Sequence, residues 1–172
     1  MEVISLTLNK NGYVLRSGGA GGADMAFERG CNKGDSTKKE IYLPWKGFNG
    51  NPSALFSVCD KAKEIAADVI GVRWKWMNPA VKLLMARNVY QVLGKNLDSP
   101  SSFLVCFTPD GCFDKATRTP KTGGTGQAIA IASERNIPVY NLQRGVDMHA
   151  IKVMMLEMEK QDVENVQDSQ ET

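Results

Sequence analysis

The apolar positions of this chain fall at two alternating spacings, and glycine or proline marks most of the changes between them. Residues 2–9 are spaced as a helix, and Asn11-Gly12 ends it before Tyr13-Val14-Leu15, a short strand running into a glycine turn. Ala23 to Cys31 returns to helical spacing with Ala, Met and Phe inward, and Glu40-Ile41-Tyr42-Leu43 reads as a second strand closed by Pro44-Trp45. Asn51-Pro52 and Asn78-Pro79 each pair an N-cap residue with proline at the first helical position. They predict one helix to about Val69, with Leu55, Val58, Ala62, Ile65, Ala66 and Val69 at helical spacing, and another to about Leu93, ended by Gly94.

Ser102 to Phe107 is a continuous apolar, β-branched and aromatic run suited to a strand buried on both faces, and Thr108-Pro109-Asp110-Gly111 turns it. Residues 109–122 make a long polar loop carrying Lys115, Arg118 and Lys121, with two readings open, a mobile lid or plain surface. Gly126 to Glu134 is helical, Ile137 to Leu142 is a strand, and Val146 to about Lys160 is a helix. Val146, Met148, Ile151, Met154, Met155 and Met158 form its apolar side, which reads as core or a subunit contact. From Gln161 the chain is polar and aperiodic, so a disordered tail is expected over 161–172 after a single domain over 1–160. Strands alternating with helices predict the doubly wound α/β class, with a mainly parallel sheet and right-handed crossovers. The chain opens on a helix where such sheets ordinarily open on a strand, so the usual first strand is expected to be absent.

Composition narrows the class further. With 172 residues, 42% of them hydrophobic, the chain can build one buried core. A formal charge of +2, from 21 Lys+Arg against 19 Asp+Glu, is no global nucleic-acid footprint, although a local basic patch stays open. Cys31, Cys59, Cys106 and Cys112 form no C-x-x-C pair, and with His149 as the lone histidine no metal site is expected. Neither a signal-like apolar segment nor a long apolar run is present, so a cytoplasmic protein with reduced thiols and no membrane partner is expected.

Two glycine turns carry the candidate chemistry: Ser17-Gly18-Gly19-Ala20-Gly21-Gly22-Ala23-Asp24 and Thr122-Gly123-Gly124-Thr125-Gly126-Gln127. Each lies where a strand gives way to a helix, a place where bare amides favour an anion. Together they predict one pocket for a phosphate-bearing ligand, with Ser17 and Thr125 adding hydroxyls. Asp24 is read two ways, as a carboxylate bonding nearby loop amides or as an acceptor for a ribose or amine of the ligand. On a wheel of about 100° per residue, Asn88 falls within about 60° of Val81, Leu84, Met85 and Val92, at the centre of an apolar stripe. An amide there needs partners, and the glycine-loop carbonyls and amides are the expected ones. Arg87, at the stripe's edge, is placed to reach a phosphate in bidentate fashion. Trp45, directly after a strand, is the candidate for stacking a base.

At these residues the chain resembles the SLOG superfamily, the Rossmann-like group of DNA-processing protein A, the lysine-decarboxylase-like (LOG) phosphoribohydrolases, and bacterial and phage relatives of the YspA and YpsA type. The resemblance rests on Ser17 through Asp24 as S-G-G-A-x-G-A-D, Pro44-Trp45, Arg87-Asn88, Gly124-Thr125 with Ile129 and Ala132, and Ile137-Pro138-Val139, and covers about residues 1 to 143. It implies a Rossmann-like α/β sandwich binding a nucleotide, a nucleotide sugar or a related phosphate ligand, often as a dimer. The phosphoribohydrolases use a glutamate three residues after the threonine of their glycine motif, and here that position holds Ala128, or Ala130 if Gln127 stands for the threonine. Relatives begin with a strand and a Gly-Ser-Arg turn that this chain lacks. Either the start is truncated, another chain supplies the strand, or the sheet closes differently.

The leading expectation is therefore a homo-oligomeric protein that binds a nucleotide-derived phosphate ligand through Ser17, Gly18, Gly19, Ala20, Gly21, Gly22, Asp24, Trp45, Arg87, Asn88, Gly123, Gly124, Thr125 and Gly126, and so senses or sequesters a signalling nucleotide. The alternative is a nucleotide hydrolase or N-glycosidase with Asp24 or Glu28 as displaced catalytic acid or base. A further one is DNA binding, with Arg73, Lys75, Arg118 and Lys121 on phosphates.

Overall fold

The computed structural model describes residues 1–168, with side chains described through Gln161. In chain order the elements are α1 (Glu2–Lys10), β1 (Leu15–Ser17), α2 (Ala23–Asn32), β2 (Lys39–Ile41), α3 (Asp60–Ile70), α4 (Pro79–Leu93), β3 (Leu104–Cys106), α5 (Thr125–Glu134), β4 (Val139–Asn141) and α6 (Gly145–Asp168). Short 3-10 turns lie at Phe48–Gly50, Gly71–Trp76 and Pro120–Thr122. The class is α/β, and the strands pair in parallel. Among the described residues they form two separate two-stranded sheets, β1 with β2 and β3 with β4. Leu15 faces Lys39 and Ser17 faces Ile41 in the first, and Leu104 faces Val139 and Cys106 faces Asn141 in the second.

Two apolar clusters position these strands. On one side α3, α4 and α5 meet through Ala62, Ala66, Ala86, Val89, Val92, Ala130 and Ile131, and the many alanines let the helices approach closely. On the other side Ile4 and Leu8 of α1, Phe27 of α2 and Ile151 of α6 pack together. Leu104 and Val139 join the first cluster, and Val105 and Tyr140 join the second, as the two-residue period of a strand requires. Met148, Met154, Met155 and Met158 pack on the second cluster, while Val146 is 65% exposed and leaves the expected apolar side. Among the described residues no helix is long and apolar enough to cross a membrane.

Several boundaries differ from the sequence expectation, each for a local reason. The helix expected from Asn51-Pro52 begins only at Asp60. Asn51 instead accepts from the Ser53 N–H through Oδ1 (3.0 Å), Ser53 Oγ donates to the Ile41 carbonyl (2.6 Å), and the Leu43 N–H donates to the Leu55 carbonyl (2.7 Å). These bonds hold the segment extended beside the end of β2. The first strand sits two residues later than expected, because the Tyr13 N–H is still bound to the Leu8 carbonyl at the end of α1. Asn78 does cap α4, accepting from the Ala80 N–H at 2.9 Å, and Gly94 ends it with φ of 74°. The last helix continues to Asp168, past Gln161 where a disordered tail is expected, and residues 169–172 lie outside the described residues.

Candidate functional site

The first glycine turn is shaped from beneath by α4. A Cβ placed on Gly18 would lie 1.3 Å from Arg87 Nη1, so glycine at this position is what lets the guanidinium lie against the turn. Gly19, with φ of 64°, sits over Leu43, and Gly22, with φ of 76°, lets the chain enter α2. Gly21 meets no such demand. The Ala20 N–H donates to Asp24 Oδ2 at 3.0 Å. Asp24 thus serves its own loop, the first of the two readings of that carboxylate, and it lies 3.6 Å from Arg87 Nη1.

Arg87 is only 5% exposed, yet Nη1 donates to Gln91 Oε1 at 2.6 Å and Nε has no partner. Burial pushes the guanidinium's pKa down from its ordinary value, and the Asp24 carboxylate opposes that shift. Asn88 is 8% exposed and donates to the Gly124 carbonyl (3.3 Å) and to Gln127 Oε1 (3.1 Å), tying α4 to the second glycine turn as its place on the wheel predicts. In that turn Gly123 has φ of 65°, and a Cβ on Gly126 would lie 2.9 Å from Thr122 Cγ2. Gly124 is the N-cap of α5 and Thr125 its first residue, one position earlier than expected.

A cavity of about 630 Å³ lies between the two half-sheets. Its polar end carries Ser17, Ala20, Asp24, Arg87, Asn88, Gly124 and Thr125, so residues of both glycine turns share one space. Ser17 is 2% exposed and its hydroxyl has no partner. The rest of the lining is largely apolar, with Leu8, Phe27, Leu84, Met85 and Ala128 among it. Gln91 and Arg16 also line the cavity and were not singled out from the sequence, although Gln91 stands one helical turn beyond Arg87, a spacing that signals contact.

Other expected site residues lie elsewhere. Trp45 is 40% exposed, packs edge-on against Phe48 and does not reach the cavity, so its position after β2 does not place it for base stacking. Gly18, Gly19, Gly22, Gly123 and Gly126 shape the turns without lining the cavity, and Gly21 does neither. Glu28 binds Lys39 Nζ at 2.9 Å and accepts from Asn51 Nδ2 at 3.0 Å, outside the cavity. Arg73 and Lys75 lie on the Gly71–Trp76 turn, and Arg118 and Lys121 lie in the 109–122 loop, none of them at the cavity. That loop is pinned by Asp110, which accepts from the Thr119 and Thr122 hydroxyls at 2.5 Å each, and by fully buried Asn141, which donates to Thr108 Oγ1 and the Cys112 carbonyl at 2.7 Å each. Of its two readings, plain surface fits this bonding better than a lid. Neither family models, nor curated proteins, nor solved structures yield a match to this chain.

Proposed function

We propose that the protein binds a small phosphate-bearing ligand, nucleotide or nucleotide-derived, at the polar end of the cavity. The observation that carries this reading is Arg87, a buried cation at the cavity wall with Nε unpartnered and the Asp24 carboxylate 3.6 Å from Nη1. A guanidinium fork in so dry a place suits a phosphate, which offers paired acceptors and a full compensating charge. The unpartnered Ser17 hydroxyl and the start of α5 at Gly124 and Thr125 stand on the same cavity. The fold is read as a Rossmann-like sandwich related to the SLOG group, and of the motif residues that suggest this, Ser17, Ala20, Asp24, Arg87, Asn88, Gly124 and Thr125 line the cavity. Asp24 and Glu28 are both engaged in internal bonds, which favours holding a ligand over hydrolysing one.

Titration of the protein with inorganic phosphate and with nucleoside monophosphates, followed by calorimetry, tests the reading. R87A is expected to weaken binding by at least about tenfold, the loss of a charge-assisted bond, with R87K in between because it keeps charge without the fork. Equal affinity in folded R87A and the parent would reject the site. Mass spectrometry of small molecules released from the purified protein would identify a retained ligand.

A further inference from the structure

We propose that the apolar length of the cavity takes an extended strand from a second polypeptide, which enters between β1 and β3 and joins the half-sheets into one. The inference is independent of the phosphate reading.

The main chain supplies the first argument. In β1 the Leu15 N–H donates to the Lys38 carbonyl (3.0 Å) and the Ser17 carbonyl accepts from the Tyr42 N–H (2.8 Å). Successive residues of a parallel strand address opposite edges, so Arg16 turns its N–H and C=O away from β2. In β3 the Leu104 N–H donates to the Pro138 carbonyl and the Cys106 carbonyl accepts from the Leu142 N–H, both at 2.8 Å, which turns the Val105 groups away from β4. Every residue of β1 and β3 lines the cavity, and none of β2 or β4 does. The order across the molecule is therefore β2, β1, cavity, β3, β4, with two inner edges facing each other.

Direction supplies the second. The β1-to-β2 crossover, α2, packs with α1, and the β3-to-β4 crossover, α5, packs with α3 and α4 in the opposite cluster. Right-handed crossovers on opposite sides carry β2 and β4 to opposite outer flanks only when β1 and β3 point the same way. One strand parallel to both can then bond to both edges.

The walls supply the third. Leu8 and Phe27 face the cavity from one helical group, beside Ser5 and Asn9, whose side chains donate to the Phe27 carbonyl and to Cys31 Sγ and the Asp35 carbonyl. Leu84, Met85 and Ala128 face it from the other, beside Arg87, Asn88 and Gln91 of α4. Away from those three polar residues, side chains leaving a strand on either face would meet largely apolar surfaces, so the occupant is a mainly apolar run of about five residues rather than a strictly alternating one. Only a polypeptide main chain presents donors and acceptors to two edges at that repeat. Among the described residues the corresponding run, Phe103 to Phe107, is already placed in β3, so the strand proposed comes from outside them, supplied by a second polypeptide.

The test adds a capped peptide with a valine- and isoleucine-rich centre and terminal lysines to the full chain and reads amide hydrogen exchange. Protection of the Arg16 and Val105 amides is expected to rise by about tenfold or more. V105P, which removes an inner-edge donor not used toward β4 and is read at the Arg16 amide, and L84W, which narrows the slot from α4 and is read at both amides, are each expected to abolish that gain; should V105P not fold, L84W alone decides. No added protection at saturating peptide, or full protection retained in L84W, would overturn the proposal. So would a self-associated protein in which both amides are already protected without peptide, since a second copy would then fill the slot. Phosphate affinity, measured in parallel, reports on Arg87 separately, so failure here leaves the phosphate reading standing.

Discussion

Gly18 and Gly21 belong to the same turn, yet a methyl group would meet the Arg87 guanidinium at one and open space at the other. G18A is therefore expected to displace Arg87, lowering stability by about 1–3 kcal/mol through overpacking and weakening phosphate binding by at least about tenfold. G21A, whose position has no positive φ, is expected to leave both unchanged or to gain a few tenths of a kcal/mol. Denaturant midpoints and phosphate titration of the pair separate a glycine required by a neighbour from one that is merely tolerated. At this scale the sequence was legible where one periodicity decided the matter. Asn88 could be placed because a polar amide at the centre of an apolar stripe must find a partner, and it finds the Gly124 carbonyl. Trp45 could not, because adjacency to a strand end says nothing about which way a ring turns, and the ring turns onto Phe48.

Elements were legible to the extent that local bonding agreed with the pattern. The Asn78 cap and Gly94 stop bound α4 as read, whereas the same Asn-Pro signal at 51–52 yields extended chain because Leu43 and Ile41 claim its hydrogen bonds. The 109–122 loop shows how side chains replace periodic structure. The Thr119 hydroxyl, then that of Thr122, hold the Asp110 carboxyl well below the usual carboxylate range. A carboxyl whose folded pKa is depressed stabilises the folded state fully above its unfolded value of about 3.9 and loses that contribution as pH falls below it. Exchange protection of the loop amides is therefore expected to hold at neutral pH and to fall progressively from about pH 4 downward. D110N should remove that acid dependence, and a parent loop equally protected across the acid range would refute the role given to Asp110.

At the scale of the whole molecule, the parallel α/β arrangement could be read from alternating strands and helices, but the division of the sheet could not, since no residue pattern records which strand edge goes unpaired. The two half-sheets share no ladder and are joined through helix packing. Native-state exchange of the unliganded chain is expected to give two distinct opening free energies, one for 15–41 and one for 104–141. A single shared value would mean that the halves open as one cooperative unit.

The inner edges of β1 and β3 also bear on aggregation. An exposed strand edge can recruit a strand that brings another open edge with it, and growth then has no natural end. Here the two edges face each other across a space walled by helices, so the first strand to enter is bonded on both sides and offers no edge to a third. Recruitment at this place terminates after one step, which turns what is ordinarily a seed for fibres into a socket with a stoichiometry of one.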